Sequence, residues 1–102
     1  MIGILILNYK KYQVTADCIR SVLDTGDGLD YHIYVLDNGS GNDSIACLQA
    51  RFPNNPRITW MESAENTGYA RGNNQMLSRA RKDGCTAAVI TLSLIHISEP
   101  TR

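Results

Sequence analysis

Apolar positions along the chain fall into short continuous runs that alternate with longer stretches of helical spacing. Residues 1–7, MIGILIL, are apolar throughout and of strand length, and Val14, Cys18, Ile19, Val22 and Leu23 then recur at helical intervals. The pattern predicts a strand followed by a helix. Residues 31–36 again read as a strand, between a Gly-containing loop and the turn-forming run Asp37-Asn38-Gly39-Ser40-Gly41. A second helix is expected with Asn42 or Asp43 as its cap and Ile45, Leu48 and Phe52 on its inner face, broken by Pro53 and Pro56. Residues 58–61 make a short third strand. A third helix is predicted from about Gly68 to Lys82, capped by Asn66 or Thr67 and ended by Gly84, and residues 86–90 begin a fourth strand.

Strands alternating with helices of this length predict an α/β fold, an open and mostly parallel sheet built from βαβ units with helices on both faces. Ligands of such sheets bind beyond the carboxyl ends of the strands. That rule selects three loops, residues 8–12, 37–43 and 65–74, and the unusual polar residues cluster in all three. No linker or internal repeat divides the chain.

Composition narrows the partner. The chain has 102 residues, enough for one small domain, with Lys plus Arg at 10 and Asp plus Glu at 10. Balanced charge provides no broad basic surface for nucleic acid, so any phosphate must be held locally by helix ends, backbone amides or single cations. Cys18, Cys47 and Cys85 are odd in number and widely spaced, unlike a zinc or disulfide framework, and read as small buried hydrophobes in a reducing compartment. The first strand has neither the basic start nor the cleavage site of a signal peptide, and no stretch approaches the ~20 apolar residues of a membrane helix. A soluble, cytoplasmic chain is expected.

Each loop has a chemical reading and a plainer one. In the first, Asn8 and Tyr9 could meet a planar base by hydrogen bonding and stacking, or Tyr9 could pack on the following helix. The loop lacks the glycines that a dinucleotide-binding turn needs there. In the second, Asp37 could accept a hydrogen bond from the ring N–H of uracil or thymine, or form an Asx turn with Asn38 and Gly39. A phosphoacceptor role fails because the first strand ends without paired acids. In the third, Gly68 lets a ligand approach the backbone at a helix N-terminus, an anion site by construction. Arg71 sits in that first turn, where its charge opposes the helix dipole unless an anion or carboxylate compensates. Asn73 and Asn74 could add amide donors; alternatively the segment is a capped surface helix.

Residues 92–102, LSLIHISEPTR, abandon the preceding pattern. The string resembles the in-frame translation of a transposase adapter used in sequencing libraries, so native sequence is expected to end near Thr91 and His96 to carry no function. A natural strand ending in a turn at Glu99-Pro100 is the alternative.

ILNYK followed by CIRSVL, then VLDNGSGNDS, then ENTGYARGNN, in that order and spacing, resembles the start of family 2 glycosyltransferases, especially rhamnosyltransferase-like members. The resemblance covers residues 2–91. It implies the nucleotide-binding half of a GT-A fold and a nucleotide-diphosphate sugar donor, UDP- or dTDP-linked, with a glycan or lipid-linked acceptor. Carried over by position, Asn8 and Tyr9 would border the base, Asp37 would bind its ring N–H, and Asn38, Gly39 and Ser40 would complete the nucleotide loop. Asn66, Gly68, Arg71 and Asn74 would line the diphosphate and sugar. The family continues its fourth strand into an Asp-x-Asp or Asn-x-Asp element for Mg²⁺ or Mn²⁺ and later supplies a carboxylate base. Neither occurs here, so the resemblance implies an enzyme in the intact parent, acting in cell-envelope polysaccharide synthesis in the cytoplasm or at the membrane's cytoplasmic face, and no catalytic or metal residue in this chain. A non-catalytic nucleotide-binding α/β module is the alternative.

Overall fold

A computed structural model describes residues 1–10, 12–26, 28–39, 43–63 and 68–91. Ser40, Asn42, Asn66, Thr67 and residues 92–102 lie outside them. The elements run β1 (Ile2–Asn8), α1 (Tyr12–Thr25), β2 (Tyr31–Asn38), α2 (Ser44–Arg51), β3 (Ile58–Ser63), α3 (Tyr69–Lys82) and β4 (Ala87–Thr91). All strand pairs are parallel, in the order β3-β2-β1-β4.

The continuous apolar runs of β1 and β2 follow from burial on both faces of the sheet. Alternate residues point to opposite sides. Ile6, Ile33 and Val35 pack with Ala16 and Ile19 of α1 and Leu48 of α2, whereas Leu5, Tyr34 and Leu36 pack with Met76 and Ala80 of α3. Two helices therefore cover one face and α3 the other. The chain returns from β3 at one edge to β4 on the far side of β1, so the strand order reverses beside β1, the place where open α/β sheets form a ligand crevice.

Ile45, Leu48 and Phe52 face inward as expected. Three expectations need correction. β1 and β2 run on through Asn8 and Asn38, because Asn8 pairs in register with Asp37, and Asp37 and Asn38 with Glu62 and Ser63. The cap of α3 is neither Asn66 nor Thr67 but Gly68, and Asp43 occupies the cap position of α2; neither makes a side-chain capping hydrogen bond. Gly68 can hold φ 91° and ψ 159° because it has no Cβ. Finally, the three cysteines are half-buried rather than buried, since Cys18 and Cys85 pack at the margins of the two cores.

Candidate functional site

The carboxyl ends of β1 and β2 carry polar side chains that are nonetheless buried. Asn8 and Asp37 are cross-strand partners on the α1 side of the sheet. Asn8 Nδ2 donates to Asp37 Oδ1 at 2.9 Å, and Asn8 Oδ1 accepts from the Thr15 hydroxyl of α1 at 2.6 Å. Asn8 is 1% exposed and Asp37 5%. At such depth a carboxylate needs hydrogen-bond donors, and Asn8 supplies one. Asn8 is thus turned inward onto Asp37, at the position where the sequence reading had it border the base.

Tyr9 immediately follows β1 and is 43% exposed, which favours an open ring over one packed beneath α1. Lys10, held at φ 64°, places its ammonium 5.2 Å from the centre of that ring. Gly39 follows β2 with φ 70°. These residues bring an aromatic face and a cation to the strand ends that carry Asp37.

The third loop is tied to the second. Asn38 Nδ2 donates to the Gly68 carbonyl oxygen at 3.3 Å, fixing the start of α3 over the end of β2. Gly72 sits one turn further on, where an added Cβ would stand 2.8 Å from Leu7 Cδ1 and 3.3 Å from Leu36 Cδ2. Its lack of a side chain lets α3 lie close to the sheet. Arg71 and Asn74 are exposed, and no carboxylate among the described residues pairs with Arg71. Asn73 instead turns inward, 6% exposed, with its Oδ1 lacking a hydrogen-bond partner. Ser40 and Asn66 lie outside the described residues.

A cleft of about 450 Å³ lies among Leu23, Tyr31, Pro53 and Arg57, but it opens at the amino ends of β2 and β3. There the Arg57 guanidinium lies 4.5 Å from the Tyr31 ring centre and donates to the Leu29 carbonyl oxygen at 3.4 Å. The ligand crevice of an open α/β sheet is at the other end. Among the described residues no three His, Cys, Asp or Glu side chains gather to hold a metal ion. The strand ends and the start of α3 present a buried carboxylate, an exposed aromatic ring and a helix N-terminus with an exposed arginine.

Sequence reasoning missed Thr15. It is 1% exposed in the middle of an apolar helix face, one turn before Ile19, and a polar residue in such a stripe was the available signal.

No curated protein matches the chain. The profile of the family described as Glycosyl transferase family 2 matches residues 3–93, a span that takes in β1 from Gly3 onward and every later strand and helix among the described residues. The parallel sheet, its strand-end site and that match together show that this chain belongs to glycosyl transferase family 2.

Proposed function

We propose that this chain is the donor-binding half of a rhamnosyltransferase-like glycosyltransferase, whose parent transfers a sugar from a UDP- or dTDP-linked donor to a glycan or lipid-linked acceptor. One observation carries the reading: a buried carboxylate, Asp37, is held by Asn8 at the end of β2 beside an exposed aromatic ring, Tyr9. A carboxylate accepts from the ring N–H of uracil or thymine and repels the bare ring nitrogen of cytosine. Tyr9 offers a stacking face, and the N-terminus of α3 with Arg71 offers positive potential to the diphosphate.

Sugar transfer also requires stabilisation of the diphosphate leaving group and a base for the acceptor hydroxyl. The Mg²⁺ or Mn²⁺ of the parent would stabilise that leaving group, but its ligands lie outside the described residues of this chain. Asp37, Tyr9, Gly68, Arg71 and Asn74 bind and orient the donor. No helix among the described residues is long and apolar enough to cross a membrane. Residues 92–102 are proposed to derive from adapter DNA, which a read of the source locus through codon 92 tests.

Titration calorimetry of the chain with UDP, dTDP and CDP tests the donor reading. UDP or dTDP should bind at least about tenfold more tightly than CDP, the worth of one hydrogen bond to a charged group. Equal affinity for all three overturns it.

A further inference from the structure

We infer that Thr15 is a positioning residue for base recognition, acting through Asn8 to hold the Asp37 carboxylate where a base ring N–H can reach it. The inference rests on the donor-binding reading above and adds to it a helix residue that lies in none of the three loops.

Thr15, Asn8 and Asp37 form a relay of two hydrogen bonds, 2.6 Å from the Thr15 hydroxyl to Asn8 Oδ1 and 2.9 Å from Asn8 Nδ2 to Asp37 Oδ1. All three residues are at least nine-tenths buried, so solvent does not compete. The chemistry of the groups gives the relay one polarity. An ionised carboxylate can only accept, so the Asn8 amide must present its NH₂ to Asp37. Its oxygen then faces α1 and needs a donor, which the Thr15 hydroxyl provides. Without that donor, Oδ1 would be buried and unsatisfied, and the amide would gain by rotating toward another partner. Such a rotation withdraws Nδ2 from Asp37 and removes a hydrogen bond that orients the carboxylate.

Packing alone does not call for this threonine. Valine has nearly its shape, and the surrounding α1 face, with Ala16 and Ile19, is apolar. A hydroxyl there is desolvated and retained at a cost that valine would avoid. The relay also ends at the carboxyl edge of the sheet rather than in the middle of the core, on the buried Asp37 carboxylate beside β1. Thr15 thereby bears on which base is accepted, because a carboxylate in a fixed plane discriminates a ring N–H from a bare ring nitrogen more sharply than a mobile one.

The test compares the full 102-residue chain with Thr15→Val and Thr15→Ser, measuring calorimetric affinities for UDP and CDP and urea unfolding for each. Thr15→Val should reduce the preference for UDP over CDP by about tenfold, and Thr15→Ser, which keeps the hydroxyl, should restore it. A folded Thr15→Val chain with the wild-type preference, or with both affinities lowered equally, overturns the inference. A wild-type chain with no preference overturns the base-recognition reading itself, and is distinguishable because it shows before any substitution. If Thr15→Val does not fold, the Asn8 side-chain amide of the wild type is followed by NMR. Its resonances should move on adding UDP and not CDP, and an unchanged signal with UDP overturns the positioning role.

Discussion

Asn38 and Gly68 are joined by a hydrogen bond of 3.3 Å from the asparagine amide to the glycine carbonyl oxygen, so the end of β2 fixes where α3 begins. The two glycines of this junction act differently. A Cβ on Gly68 would meet nothing within 4 Å, but its φ of 91° is strained for any other residue. On Gly72 a Cβ would press into Leu7 and Leu36. Gly68→Ala should therefore destabilise through backbone strain, by about 1–3 kcal/mol. Gly72→Ala should cost a similar ~1–3 kcal/mol through overpacking. Urea unfolding checks both, and Leu7→Ala should relieve the second variant but not the first.

Asp37 and Asp43 differ in burial and in bonding. Asp37 is buried and accepts from Asn8, whereas Asp43 stands at the start of α2 without a side-chain capping bond. Asp37→Ala should weaken UDP binding by roughly 1.5–3 kcal/mol, the range for a hydrogen bond to a charged group. It should also lower stability, because Asn8 Nδ2 loses its acceptor. Asp43→Ala should change unfolding by less than ~0.5 kcal/mol, as at other surface sites. Calorimetry and urea unfolding on the same two variants decide it; unchanged UDP affinity in Asp37→Ala removes Asp37 from the site.

How much of this was legible depends on the residue. The order of elements follows from apolar runs and helical spacing, and Ile45, Leu48 and Phe52 lie where that spacing put them. The strand ends did not, because hydropathy assigns Asn8, Asp37 and Asn38 to loops. Their polarity is satisfied inside the ladder by partners distant in sequence, such as the 29 positions between Asn8 and Asp37. Thr15 escaped for the same reason, its partner Asn8 lying outside the helix whose periodicity was read. Gly68 as a cap was hidden because it acts by its backbone conformation rather than by a side chain. The position of Tyr9, Asp37 and Gly39 at the carboxyl ends of β1 and β2 was legible, since it needs only the alternation of strands and helices.

Acid should weaken the fold through the opposite end of β2. His32 is hydrogen-bonded to Thr59 at 2.7 Å, and burial lowers its pKa from the ordinary 6.5, with Asp83 pulling upward and Arg79 downward. The unfolded chain then binds the proton more readily, so this stability is complete above about pH 6.5 and is lost as pH falls through the lowered value. Asp83 accepts from the buried Tyr34 hydroxyl at 2.8 Å. That bond, with Arg79 assisting and partial burial opposing, lowers its pKa from 3.8. Its contribution is present above that value and disappears in stronger acid. Urea midpoints against pH should fall below neutrality in the wild type, less so in His32→Gln. The deficit of Tyr34→Phe should be steady near neutral pH and shrink below about pH 4.

Arg71 should set stability against binding. It stands exposed in the first turn of α3, where the helix dipole disfavours a cation, and no carboxylate among the described residues pairs with it. Removing its charge should stabilise the unliganded chain by about 0.3–1 kcal/mol, the usual size of a charge–dipole term at a helix end. The same change should weaken UDP binding, because the diphosphate loses a cation beside the exposed N–H groups of that turn. Uridine has no phosphate, so its affinity should not change. Arg71→Gln removes the charge while keeping a polar side chain that suits a helix. The expected pattern is a higher urea midpoint, a weaker UDP affinity that has become less sensitive to salt, and an unaltered uridine affinity. Equal losses for UDP and uridine would mean that Arg71 supports the shape of the loop rather than the phosphates. Unchanged UDP affinity would move the diphosphate away from α3 altogether.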